Sequence, residues 1–315
     1  MAQGRTKIII DTDIADDIDD AIALAFALGS PEFDILGVTL VYGDVETRAK
    51  VARKLCRSWG RGDIPIRMGF ERPMGYDWFP GTAPEAPPSQ YYSIRDEPPL
   101  EDCSRSAVEF ICQTVRRFPG QVYILTLGAL TNVAAALCAD PELAHLTPGV
   151  LSLAGAVPPC EPHLDWNVAY DVIAADSIAR SGVKWTSIGG DVMGIHNGLQ
   201  RAEFDALERS GLPASQVLLD LVVNMKRYKK GQDPSVRTIR DVMSASVCDV
   251  MVPASLLVPQ RMAIRRGRIE VNKQAGCLTI TPDDTGPHFY TSNRLAEGSY
   301  RAEILRRLLS APPQV

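Results

Sequence analysis

The sequence has no hydrophobic run long enough to cross a bilayer; its longest nearly apolar stretch, Ala21 to Leu28, falls far short of a spanning helix. Its N-terminus shows no charged segment followed by an apolar one, so we expect no secretory signal. Basic residues are not in excess. The 33 Lys and Arg stand against 38 Asp and Glu, a formal net charge of -5 spread along the chain, which offers no basic face to nucleic acid or to a membrane. The seven cysteines are odd in number, scattered and free of any Cys-x-x-Cys pair. We read them as free thiols in a reducing compartment and place the protein in the cytoplasm. No repeat and no linker-like segment divides the chain, so we expect one domain over residues 1–315. A hydrophobic content of 45% with 23% charged residues is ordinary globular composition.

What is present is a regular alternation. Lys7-Ile8-Ile9-Ile10 reads as a buried strand ending in Asp11, and Asp19 to Leu28 as a helix stopped by Gly29-Ser30-Pro31. Residues 35–41 read as a second strand, Val45 to Trp59 as a second helix and 64–67 as a brief third strand. Residues 70–102, rich in Pro, Gly and aromatics, read as a long loop packed over a site. Regular structure then returns with a helix at about 104–118, strand 122–127, a helix from about 131 and strand 150–153. A loop at 156–168, a helix at about 171–181, strand 184–188, helices within 202–230 and a helix near 248–257 follow. The stretch 268–281 alternates like an edge hairpin. This rhythm predicts an α/β fold, a mostly parallel sheet with helices on both faces.

Ligands in such sheets bind outside the carboxyl ends of the strands. After the first strand come Asp11, Asp13, Asp16, Asp17, Asp19 and Asp20, six carboxylates within ten positions. Helix capping accounts for one or two of them. The rest repel one another unless a cation is present, and a hard divalent ion with several oxygen ligands answers that need. The EF-hand pattern does not fit, because Ala15 and Asp16 stand where its third ligand and glycine belong. Tyr42-Gly43-Asp44 follows the second strand and Gly128 to Asn132 the fourth, either as turn chemistry, with Thr131 as a cap, or as site residues. Asp165-Trp166-Asn167 suits a polyhydroxylated ligand. Asp249, one acid amid apolar residues, is either a cap or a ligand reaching back to the metal.

These segments, taken in order, resemble the inosine/uridine-preferring nucleoside hydrolases: DTD with DDAIAL, GVTLVYGDV, LGALTNVAAAL, DWN and CDV, co-linear from residue 7 to about 255. The resemblance implies an open, Rossmann-like sheet and Ca²⁺-dependent hydrolysis of the N-glycosidic bond of ribonucleosides to ribose and free base. It also implies a role in nucleoside salvage and a homodimer or homotetramer. Carried over, Asp13 holds the Ca²⁺ and takes a proton from the attacking water. Asp20, the Leu127 main-chain carbonyl and Asp249 complete the metal set. Asp44 takes the place of the usual Asn, while Asp165 and Asn167 match the Glu and Asn that bracket the ribose. Cys248 corresponds to the His that assists departure of the base.

Three departures from the family pattern stand out. The spacer Ile14-Ala15-Asp16-Asp17-Ile18 is two residues longer than the usual Pro-Gly-x, which leaves both Asp17 and Asp19 open as the ribose ligand. Cys248, with a thiol pKa of about 8.5, is a weaker acid than His, or else a small buried hydrophobe. The stretch Trp78 to Gly81 lacks the His that many members carry; His163 is either its substitute or a loop histidine. Two other readings compete. Asp11-Thr12-Asp13 also suits a Mg²⁺-dependent phosphohydrolase of the haloacid-dehalogenase type, with Asp11 as nucleophile. A riboside-binding protein without turnover fits the same residues.

Overall fold

A computed structural model describes residues 4–310 apart from 76, 85–86, 99, 101–103, 162, 193–197, 230, 232–234 and 297–298. The chain runs β1 (Thr6–Thr12), α1 (Asp19–Leu28), β2 (Phe33–Leu40), α2 (Val45–Ser58), β3 (Ile66–Met68), α3 (Ala107–Arg117) and β4 (Val122–Thr126). It continues with α4 (Thr131–Ala139), α5 (Leu143–Leu146), β5 (Val150–Leu153), α6 (Trp166–Ala169), α7 (Val172–Arg180) and β6 (Trp185–Ile188). Then come β7 (Leu199–Gln200), α8 (Arg201–Ser210), α9 (Pro213–Lys229), β8 (Ser244–Ala245) and α10 (Met251–Leu257). The last elements are β9 (Ile264–Asn272), β10 (Cys277–Pro282), β11 (His288–Thr291) and α11 (Arg301–Leu308).

Nine strands form one sheet in the order β10-β9-β11-β6-β5-β4-β1-β2-β3. From β3 to β11 neighbouring strands are parallel, and β9 runs antiparallel to both of its neighbours. Ile8, Ile9 and Ile10 are fully buried, which suits the middle of a sheet covered on both faces. Ile8 and Ile10 belong to a core shared with α1, α2 and α8 to α11, and Ile9 to a core shared with α3, α4 and α7. Helix α1 is buried along nearly its whole length, which explains its unbroken Ala, Ile, Leu and Phe.

From β1 the chain proceeds outward through β2 and β3, then returns to β4 on the other side of β1. That reversal makes the carboxyl end of β1 a topological switch point, where open α/β sheets hold their ligands. The expected alternation is present, with shifted ends. The helix expected at about 104–118 spans Ala107–Arg117, and part of the loop expected at 156–168 winds into α6. The edge hairpin begins earlier, at Ile264, and the short strand β11 slots between it and β6.

Candidate active site

Asp13 to Ile18 leave the end of β1 as a loop, with Ala15 at a positive φ of 105°. Helix α1 then opens with Asp19 and Asp20. The Thr12 hydroxyl donates to Asp20 Oδ1 at 2.5 Å. Asp249 arrives on a one-turn 3-10 helix, Cys248–Val250, docked on α1. Carboxylate oxygens of Asp19, Asp20 and Asp249 all lie within 4.8 Å of one another. Asp13 is buried beside them, with Oδ1 so close to Gly128 that a Cβ there would come within 2.5 Å.

Burial, reinforced by the neighbouring carboxylates, raises the pKa values of Asp13 and Asp249 well above the ordinary range. Burial and then Asp20 push Asp19 up to about 7. Burial lifts Asp20 to about 6 against the Thr12 hydrogen bond, which favours its ionised form. The buried guanidinium beside these acids, that of Arg48, does not offset their burial and mutual repulsion, which leaves room for a further positive charge. An all-carboxylate donor set of this size fits a hard divalent cation.

Asp11, next to this cluster, is wholly buried; its Oδ1 accepts from Thr39 at 2.5 Å and Asn132 at 2.8 Å. Burial raises its pKa to about 7. A carboxylate sealed into the sheet cannot reach a phosphoryl group, so the phosphohydrolase reading of Asp11-Thr12-Asp13 is overturned.

The other expected site residues fall into different places. Asp17 is exposed, pairs with Lys229 at the end of α9 and stands outside the cluster. Asp44 caps α2: its two oxygens accept from Thr47 N at 3.0 Å and Thr47 Oγ1 at 2.7 Å. Asn167 bridges the ends of β4 and β5, donating to the Leu127 carbonyl at 2.6 Å and the Leu153 carbonyl at 3.0 Å. Asp165 caps α6 and accepts from Gly155 N at 2.5 Å and Val168 N at 3.1 Å; burial raises its pKa. Cys248 is partly buried, its Sγ 3.3 Å from the Ser246 hydroxyl, and burial followed by Asp19 raises its pKa, so it stays a thiol. Thr131 does not cap α4; its hydroxyl donates to Asp171 at 2.8 Å. His163 is exposed, 3.5 Å from Cys160 Sγ. It lines a cavity of about 510 Å³ together with Asp165, Cys160, Glu161 and β10, and none of Asp13, Asp19, Asp20 and Asp249 is among the lining residues.

The long loop does pack over the acidic turn. Gln90 N donates to the Ala15 carbonyl at 2.9 Å and Gln90 Nε2 to the Asp17 carbonyl at 2.7 Å, and the Ser89 hydroxyl donates to the Asp16 carbonyl. Sequence reasoning gave no role to Thr12, Ser246 or Arg48, and left Gly128 between turn chemistry and the site. The available signal for Arg48 was its register: it shares the apolar face of α2 with Ala52 and Leu55.

A carboxylate cluster at the switch point of an open α/β sheet defines an enzyme scaffold fitted for a metal. The inosine-uridine preferring nucleoside hydrolase family matches residues 8–300, and the chain belongs to it. Its relatives are enzymes acting on N-glycosyl compounds. Uridine nucleosidase 1 of Arabidopsis thaliana is 29% identical over 289 residues, 89% of this chain and 82% of that protein. The pyrimidine-specific ribonucleoside hydrolase RihA of Citrobacter koseri is 30% identical over 220 residues, 68% of this chain and 70% of that protein. Among solved structures, a plant nucleoside hydrolase shares 26% identity and a TM-score of 0.76, covering 98% of this chain and 99% of its own. A purine-preferring ribonucleoside hydrolase from Gardnerella vaginalis shares the fold, with a TM-score of 0.77 at 22% identity over 97% of this chain and 99% of its own.

Proposed function

We propose that this protein hydrolyses the N-glycosidic bond of ribonucleosides, releasing ribose and free base, in a Ca²⁺-dependent reaction. The observation that carries this reading is the convergence of Asp13, Asp19, Asp20 and Asp249, from segments about 230 residues apart, at the carboxyl end of β1. Asp13, Asp20, Asp249 and the Leu127 carbonyl would hold the ion. Bound there, the ion would supply positive charge that acidifies a water and attracts the sugar hydroxyls.

Asp13, ionised, takes the proton of the attacking water as the C1′–N bond breaks and a C1′–O bond forms. Asp19, in the cluster, binds a ribose hydroxyl in preference to Asp17, which Lys229 draws away. Asp165 and Asn167 enclose the sugar from the ends of β4 and β5, and Asp44 lies at the end of β2. Carboxylates and amide dipoles around the ring stabilise the positive charge that develops on the sugar. Cys248, kept as the neutral thiol, would donate a proton to the departing base, a role in which its raised pKa makes it a weak acid.

We include in the same reading a single catalytic domain, a role in nucleoside salvage, a cytoplasmic location and a homodimer or homotetramer. The free thiols support the location. The test is a panel of common nucleosides with free base measured by chromatography, with and without Ca²⁺. Base release that depends on Ca²⁺ is expected. Tight nucleoside binding with no base released would make this a riboside-binding protein instead.

A further inference from the structure

Arg48 lies on α2, yet its side chain is only 1% exposed. Four donated bonds account for this burial. Nε donates to the Tyr42 carbonyl at 2.6 Å, Nη1 donates to the carbonyls of Asp13 and Ile14 (the latter at 2.9 Å), and Nη2 donates to Asp16 Oδ2 at 2.7 Å. The guanidinium also sits 5.4 Å from the centroid of the Tyr42 ring. One rigid fork therefore ties the exit of β1 to the exit of β2.

Both exits contain a strained residue. Ala15 has φ 105° and Tyr42 has φ 71°, values that side chains with a Cβ seldom adopt. Such conformations persist where the surroundings over-determine them. Arg48 does so from within, gripping carbonyls on each side of the crevice. Lysine cannot reproduce this, because a single ammonium lacks the planar array of five N–H groups.

We propose that Arg48 is a positioning residue for the reaction: it fixes the main chain at Asp13 so that the Asp13 carboxylate faces Asp20 and Asp249, with Asp16 as the outer anchor of the fork. This rests on the hydrolytic reading of the site given above. The buried guanidinium also places a fixed positive charge beside Asp13, Asp16 and Asp20.

The experiment compares Arg48→Lys and Asp16→Asn with the wild type. Asp16 is 39% exposed, so its substitution leaves the core intact. For each variant, kcat and KM for the best nucleoside of the panel and the Ca²⁺ dissociation constant by calorimetry are measured where circular dichroism shows the chain folded. Arg48→Lys is expected to lower kcat by about 10- to 100-fold while KM moves by less than about threefold, because a small misplacement at the reacting centre costs turnover. It should weaken Ca²⁺ binding by about tenfold, and Asp16→Asn should move kcat and Ca²⁺ affinity the same way by about threefold, through loss of charge-assisted bonding.

A merely structural arginine would lower the melting temperature and leave the folded enzyme's kcat and Ca²⁺ affinity at wild-type values; that result overturns the proposal. Should Arg48→Lys fail to fold, Asp16→Asn decides: unchanged kcat and Ca²⁺ affinity overturn the proposal, and a joint fall supports it. A wild type that neither binds Ca²⁺ nor releases base removes the hydrolytic reading and this inference with it. An active wild type with an indifferent Arg48→Lys removes this inference alone.

Discussion

The hydroxyl of Thr12 lies 2.5 Å from Oδ1 of Asp20, joining the last residue of β1 to the first turn of α1 across the acidic loop. Thr12 Oγ1 also accepts from Ile14 N at 3.1 Å, so one threonine orders both the loop and its carboxylate. Replacing Thr12 with Val keeps the shape and removes the donor. Asp20 then loses the bond that favours its ionised form. Ca²⁺ affinity should fall by about 1.5–3 kcal/mol, the worth of a hydrogen bond to a charged group. Thr12→Ser should retain most of it. A calorimetric titration showing equal affinity in Thr12→Val would remove Thr12 from this role.

Stability should depend on pH in an unusual direction when the metal is stripped. Asp11 and Asp19 are raised to about 7 and Asp20 to about 6 in the folded chain. Their unfolded values lie near 4. Between about pH 4 and pH 7 the folded chain therefore binds more protons than the unfolded one, and its stability falls as pH rises through that window. In EDTA the protein should melt at a higher temperature at about pH 5 than at about pH 8. Ca²⁺, which binds the ionised carboxylates, should raise the melting temperature most at the higher pH. A melting temperature in EDTA that climbs from pH 5 to pH 8, or no response to Ca²⁺ at pH 8, would contradict this.

Gly128 is the residue against which Asp13 rests. A Cβ at this position would meet Asp13 Oδ1 at 2.5 Å, Cγ at 2.6 Å and the main-chain N at 2.8 Å. Gly128→Ala should displace the Asp13 side chain. We expect kcat to fall by about 100-fold, as for a displacement of about 1 Å at a reacting group. Overpacking of this kind costs about 1–3 kcal/mol of stability. Steady-state kinetics beside a thermal melt separate the two effects, and full activity in a folded Gly128→Ala would mean that Asp13 is not the base.

Asp17 and Asp19 are two positions apart and should behave differently on mutation. Asp19 stands among the carboxylates of the site and accepts from the Ser246 hydroxyl at 3.3 Å, whereas Asp17 faces Lys229. Asp19→Asn should cut kcat/KM by about two orders of magnitude, the scale seen when one preorganised contact to the transition state is lost. Asp17→Asn should change it by less than about threefold, as befits an exposed ion pair. The reverse ranking would assign the sugar contact to Asp17.

Much of this was legible in the sequence, for definite reasons. Helix α1 occupies Asp19–Leu28, the span its spacing predicts, because Gly29 and Pro31 end it. Strand β5 matches residue for residue. The acidic run pointed to the switch point because six carboxylates exceed what capping needs. Strand β11 escaped notice: His-Phe-Tyr-Thr carries no clear period, and its partners β6 and β9 are chosen by the tertiary fold. Arg48 escaped as well, since an arginine in an amphipathic helix is ordinarily solvated. Asp44 shows the reverse case, a residue with two chemical readings whose oxygens both turn to Thr47.

The turn that carries Asp249 is docked on α1, although about 230 residues separate Asp249 from Asp19 in the chain. Contacts over so long a separation must repay a large loop-closure entropy, which slows their formation. On the proposed reading, the full set of metal ligands therefore forms only when this contact closes. Calcium would then act as a latch on the finished structure, slowing its opening more than it speeds its formation. A chain made where calcium is scarce would be expected to reach the same shape and to hold it for a shorter time.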